Sequence, residues 1–160
     1  MMSIYILHKF IFMINLNEFY MQKALREAER AFQQDEVPVG AVIVYKKKII
    51  AKAYNRCVQL CDPTAHAEMQ TITSACNYLQ SRYLNDCELY TTLEPCIMCF
   101  GAIFWSKIKK VTYGASAQKF GFTTMKNDSR DLKTKLVKGI LEEKCSNLLT
   151  CFFQKKRKLK

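Results

Sequence analysis

The sequence predicts an α/β protein with a mixed central sheet of about five strands sandwiched by helices in three layers. Short apolar, β-branched runs alternate along it with segments of helical periodicity. One of those runs, residues 39–45, is apolar on both alternations and so needs cover on both faces of a sheet. A length of 160 residues without internal repeats suits one such domain.

The elements follow in order. Phe19, Leu25, Ala28 and Phe32 make one apolar face of a helix over residues 18–34, with Asn17 as the expected N-cap and Pro38 beyond its end. Residues 39–45 and 49–54 are two strands joined by a lysine turn. Asp62-Pro63-Thr64 stops the chain and caps a helix over 65–79. Residues 87–92 are rich in strand formers. Pro95 is expected to open a helix over 96–106, where its fixed φ suits the first turn. Strands at 110–114 and 135–138 and a last helix over 141–155 complete the pattern.

Residues 1–12 read as an N-terminal extension, disordered or non-native, and residues 13–160 as the domain, with Met13 a candidate start. The apolar run 4–14 contains His8 and Lys9, lacks a small-residue cleavage site and is too short to cross a bilayer. No membrane partner is expected, and eight cysteines without a signal peptide fit a reduced cytoplasm better than a disulfide framework.

Charge is segregated. Residues 1–100 hold 10 Lys+Arg and 10 Asp+Glu, whereas residues 101–160 hold 15 and 4, so the whole net charge of +11 lies in the last part of the chain. A field concentrated in this way suits a polyanion such as nucleic acid, although a solubilising surface would look the same.

The chemistry sits in His66-Ala67-Glu68 and Pro95-Cys96-Ile97-Met98-Cys99. Cysteines at i and i+3 on a first helical turn point the same way, so two thiolates can converge on one ion. A helix N-terminus also favours the thiolate. If the two helix starts face each other, His66, Cys96 and Cys99 give one Zn2+ three ligands and leave the fourth position to water, as in a catalytic site. Glu68, two residues from His66, can take a proton from that water and return protons to a ring nitrogen and to departing ammonia. Two rival readings exist. Cys57 or Cys61 could close a structural site, and Cys-x-x-Cys opening a helix resembles a redox motif, but the redox reading leaves His66 and Glu68 without a role.

His-x-Glu with Pro-Cys-x-x-Cys is the signature of zinc deaminases acting on nucleobases. The chain resembles the bacterial tRNA-specific adenosine deaminases of the cytidine-deaminase-like superfamily in residues 36–42 (E-V-P-V-G-A-V), 62–68 (D-P-T-A-H-A-E), 92–99 (T-L-E-P-C-I-M-C), 113–115 (Y-G-A) and Phe152-Phe153 before a basic tail. The likeness implies zinc on His66, Cys96 and Cys99, one ion per subunit, and Glu68 as proton shuttle. It implies that Asn55 faces the target nucleoside and that Pro38, Val39, Ala67 and Leu93 wall the pocket. It further implies conversion of adenosine to inosine at the wobble position of an arginine tRNA by a homodimer that grips the anticodon arm.

Phe100 stands where relatives carry a small residue, Ile103-Phe104-Trp105 is bulky enough to suggest a dimer contact, and residues 120–132 match only loosely. Phe152 and Phe153 could stack on a splayed base, with Lys155, Lys156 and Arg157 attracting phosphate. Two other functions remain open. A deaminase of a free base or nucleoside, of guanine or cytosine type, shares the zinc site but has no use for the basic C-terminal third. A non-catalytic zinc module that only binds RNA has no chemical use for Glu68.

Overall fold

The computed structural model describes residues 4–124 and 133–158, with side chains from Leu16 onward. The elements are α1 (Ile4–Gln33), β1 (Gly40–Tyr45), β2 (Lys48–Tyr54), α2 (Ala67–Leu79), β3 (Cys87–Leu93), α3 (Ile97–Ser106), β4 (Lys110–Ala115), a 3-10 turn (Phe122–Thr124), β5 (Lys135–Lys138) and α4 (Glu142–Lys158).

The five strands form one mixed sheet in the order β2-β1-β3-β4-β5. β1 is antiparallel to both β2 and β3, and β3, β4 and β5 are parallel. Alternate residues of β1 face opposite ways, as the pleat requires. Ala41 and Ile43 join Ala67, Ile72 and Ala75 of α2 and Ile103 of α3 in one apolar cluster. Val42 and Val44 join Tyr20, Met21, Ala24 and Leu25 of α1 and Cys145 of α4 in the other. The doubly covered strand and the three-layer α/β/α architecture are therefore as the sequence predicts.

Several boundaries differ, each for a local reason. The backbone of α1 is helical from Ile4, so Asn17 lies inside the helix and caps nothing. Its buried carboxamide instead accepts a hydrogen bond from Lys110 Nζ at 2.9 Å. Residues 1–3 of the expected extension lie outside the described residues. α2 and α3 begin later than predicted because His66 and Cys96 keep extended backbones, with ψ of 154° and 172°, and stand as N-caps. Pro95 therefore precedes the cap and does not form the first turn. Leu141 takes a left-handed φ of 54°, which delays the start of α4, and the helix then continues to Lys158.

Gly40 fixes how closely α1 lies on β1. A Cβ built there would stand 2.1 Å from the Ala24 carbonyl oxygen and 2.4 Å from the Ala28 nitrogen, both backbone atoms that cannot swing away. Gly40→Ala is expected to cost about 2–3 kcal/mol of stability, the upper range of overpacking. Denaturant unfolding checks this, and a loss below about 0.5 kcal/mol would mean that α1 is not seated so tightly.

Candidate metal centre and active site

β1 runs against both neighbours, so the start of β1 and the ends of β2, β3 and β4 share one edge of the sheet. The Gly40 N–H donates to Thr92 Oγ1 at 3.1 Å and the Asn55 N–H to the Val39 carbonyl at 3.0 Å, tying three strand ends together there. Pro38, Val39, Asn55, Ala67 and Leu93 all gather at this edge, Leu93 half-buried and the others buried. It is the carboxyl end of the parallel strands, where open α/β sheets place their ligands.

His66 and Cys96 are the N-caps of α2 and α3, and Cys99 follows on the first turn of α3. Their donor atoms lie within 4.8 Å of one another. His66 Nδ1 stands 3.6 Å from Cys96 Sγ and 3.4 Å from Cys99 Sγ. Two ligands of a tetrahedral zinc, one sulfur and one nitrogen, are roughly 3.5 Å apart when each keeps its normal bond length. Two thiols and one imidazole at that spacing fit zinc in chemistry and geometry, and among the described residues no fourth His, Cys, Asp or Glu joins them. The closed structural site with Cys57 or Cys61 is thereby set aside.

The thiols are electrostatically unequal. A hydrogen bond from Cys99 holds Cys96 down to about 3, against the effect of burial, with His66 assisting. Cys99, which gives that proton, is pushed up by the bond and by burial. The bond to Cys96 raises the His66 pKa. Glu68, on the first turn of α2, is 3% exposed. Burial raises its carboxyl above the ordinary range, and the nearby His66 and Cys99 only partly oppose this. A carboxyl so placed holds its proton longer than an exposed one, which suits a group that must both take and give one.

Two buried carboxylates at the same edge escape a reading of the sequence. Glu36 accepts from Asn55 Nδ2 at 3.0 Å and from the Gln59 N–H at 2.7 Å. Glu94 accepts from the Ala117 N–H at 2.9 Å and from the N–H and hydroxyl of Thr123 at 3.0 and 2.6 Å. With the Phe122 N–H donating to the Pro95 carbonyl and a bridge between Cys96 and Gly121, Glu94 straps residues 117–123 against the metal-binding turn. Phe100, the bulky residue after Cys99, stacks flat on Phe122 at 4.1 Å and completes the strap. Both glutamates lie in stretches that resemble the deaminases, but only their burial marks them out. The rest of the loosely matching stretch, 125–132, lies outside the described residues.

At the C-terminus the two phenylalanines separate. Phe152 is buried against Phe32 at 5.8 Å, so the expectation that it offers a stacking face does not hold, because the end of α1 needs it as core. Phe153 stays 47% exposed. Lys156 pairs with Asp35, Lys155 lies over the Phe32 ring, and Arg157 is exposed. Asp35 precedes Glu36, so the basic end of α4 stands beside the loop that leads into the site. Leu159 and Lys160 lie outside the described residues. No helix among the described residues is long and apolar enough to cross a membrane.

Comparison with known proteins agrees with this geometry. The cytidine and deoxycytidylate deaminase zinc-binding region matches residues 14–115. The tRNA-specific adenosine deaminase of Aquifex aeolicus is 48% identical over 145 residues, spanning 88% of this chain and 95% of its own. A structure from a study of A-to-I editing by tRNA:A34 deaminases at the wobble position superposes with a TM-score of 0.77 at 37% identity, covering 82% of this chain and 99% of that one. A guanine deaminase from Bacillus subtilis is 39% identical with a TM-score of 0.62, covering 66% of this chain and 71% of that one. A match that takes in His66, Glu68, Cys96 and Cys99 together, with nearly full-length relatives on either side of it, makes the chain a member of the cytidine and deoxycytidylate deaminase family, in the branch of the tRNA-specific adenosine deaminases.

Proposed function

We propose that this chain hydrolyses adenosine to inosine and ammonia at the wobble position of a tRNA, an arginine tRNA being the candidate carrier. The observation that carries the reading is a buried Glu68 beside a three-donor metal cluster at the strand ends. His66, Cys96 and Cys99 would hold a zinc ion, which would supply Lewis-acid activation of a water. Glu68 takes the proton that the attacking water gives up and delivers it to the purine ring nitrogen beside the reacting carbon. The same carboxyl then serves the departing amine, so one residue acts as base and acid in turn. Asn55 orients the nucleoside, and Pro38, Val39, Ala67 and Leu93 exclude water around the base. A wobble base must leave its stack to enter, at a cost of a few kcal/mol, least where it is already unpaired in a loop.

The RNA reading is supported by where the charge lies. Lys155, Lys156 and Arg157 stand beside the loop of Glu36 and Pro38, and the exposed Phe153 adjoins them. Phosphate attraction of this kind positions an anticodon arm without reading its sequence.

The chain is further read as a homodimer working in the cytoplasm, where tRNA is the polyanion at hand. Support for pairing comes from α3, which turns Ile97, Phe104 and Trp105 outward at 42, 47 and 76% exposure. Ile103, expected with them, is fully buried and belongs to the core. Large apolar side chains left outward on one helix are costly to leave in water and suit a second copy of the same surface.

A second reading, deamination of a free base, is favoured by the likeness to a guanine deaminase. It shares every residue of the metal site, so only the substrate separates the two.

Three measurements test these readings. Glu68→Gln should keep one zinc per chain by metal analysis and lower deamination of a tRNA anticodon arm carrying wobble adenosine about a thousandfold or more, whereas Cys99→Ser should lose metal and activity together. Full activity in the glutamine variant would overturn the mechanism, and turnover of free guanine but not of RNA would favour the second reading. A chain ending at Phe153 should bind the same RNA more weakly, and its plot of log affinity against log salt should be flatter by about 0.7 for each phosphate it no longer neutralises. An unchanged slope would remove Lys155, Lys156 and Arg157 from the interface. Trp105→Glu should shift sedimentation from dimer to monomer, and an unshifted dimer would place the interface elsewhere.

A further inference from the structure

Glu36 has no part in the proton chemistry, yet it is 1% exposed and lies at the active edge. Burying a carboxylate costs several kcal/mol unless its oxygens find donors. Here both do. Oε2 receives an N–H from the side chain of Asn55 at 3.0 Å, and Oε1 receives the backbone N–H of Gln59 at 2.7 Å. Asn55 is itself 6% exposed, and its Oδ1 lies 3.2 Å from the thiol of Cys57, which can donate to it.

These contacts fix which way the Asn55 carboxamide points. An ionised carboxylate accepts hydrogen bonds and cannot give one. Only the nitrogen end of Asn55 can therefore face Glu36, and the oxygen end must face Cys57. One N–H and one acceptor lone pair of the carboxamide remain for a bound base, in a fixed order. The reversed carboxamide would set oxygen against carboxylate, and a site so reversed would present an acceptor where a donor belongs. The backbone adds a second constraint, since the Asn55 N–H is held by the Val39 carbonyl at 3.0 Å.

We propose that Glu36 is a positioning residue, which holds the Asn55 side chain in the one orientation that recognises the nucleoside. The proposal rests on the reading of Asn55 as a nucleoside contact. A neutral group could staple the loop at Gln59, but of the common side chains only a carboxylate accepts at both ends and donates at neither. Glu36→Gln separates the two roles. Glutamine nearly matches the shape, yet whichever way its amide turns, it meets one of the two N–H groups with an N–H of its own.

The test is a double-mutant cycle on the full-length zinc-loaded protein, with an anticodon arm carrying wobble adenosine as substrate. Glu36→Gln should retain zinc and fold, and lose about ten- to a hundredfold in kcat/KM, the range of a modest misplacement of a substrate-binding group. Asn55→Ala should lose at least as much, and the double variant should be no worse than Asn55→Ala alone. Additive losses would show that Glu36 acts independently of Asn55 and would overturn the proposal, as would full activity of Asn55→Ala. A readout without turnover is the NMR signal of the Asn55 side-chain amide. One of its two protons should be shifted and slow to exchange in the wild-type chain and lose both properties in Glu36→Gln, and an unaltered signal would overturn the lock. If the wild-type chain fails to deaminate this RNA, the functional reading falls, and the amide signal then decides the orientation lock by itself.

Discussion

The site depends on one topological constraint, that β1 runs against both of its neighbours. Because of it, β2 and β3 point the same way although they are not adjacent. The segments that follow them, α2 and α3, must then start at the same edge of the sheet. Both crossovers move the same way across the strand order, from β2 to β3 and from β3 to β4. With the right-handed connection that parallel strands impose, both helices fall on one face. Residues 30 and 33 positions apart, His66 with Cys96 and with Cys99, thereby come within 3.6 Å. Two helix N-termini directed at one point also supply positive dipole ends, which favour negative charge on the sulfurs gathered there.

Three glutamates are buried at this edge, and their partners sort them. Glu94 receives three donors from residues 117 and 123, and Glu36 receives two, from Asn55 and Gln59. Their oxygens are committed to holding loops. Glu68 lacks such a set: its neighbours are its own backbone N–H, His66 and the Cys99 thiol. Burial outweighs these partners and raises its carboxyl, and that sets Glu68 apart from the two glutamates whose oxygens anchor loops. Environment, and not residue type, assigns the roles.

Those same partners decide what could be read in the sequence. The strands, the three layers and the metal triad are legible because each rests on local pattern: a doubly apolar run, helical spacing, and ligands placed two or three positions apart beside helix starts. Glu36 and Glu94 are not legible, because their donors lie 19 to 29 residues away and leave no periodicity. Asn17 misleads for the same reason. Its residue type suits a cap, but its partners Tyr90 and Lys110 come from β3 and β4, 73 and 93 residues along the chain. Phe152 and Phe153 are indistinguishable in a string of letters, and only the position of Phe32 at the end of α1 makes one core and leaves the other exposed.

The burial of Phe152 has a consequence for the charge. A lysine-rich terminus left loose would spread its field over many positions, and its attraction would be averaged by solvent and salt. Here the ring of Phe152 seats the last turns of α4 against α1, and Lys156 is tethered to Asp35. Asp35 adjoins Glu36, which holds Asn55, so the basic helix end and the metal edge share one short loop between α1 and β1. An aromatic ring anchored in the core thus fixes the basic end of α4 relative to the metal edge. A fixed placement of this kind keeps the charge from being averaged over many positions, as it would be on a loose terminus.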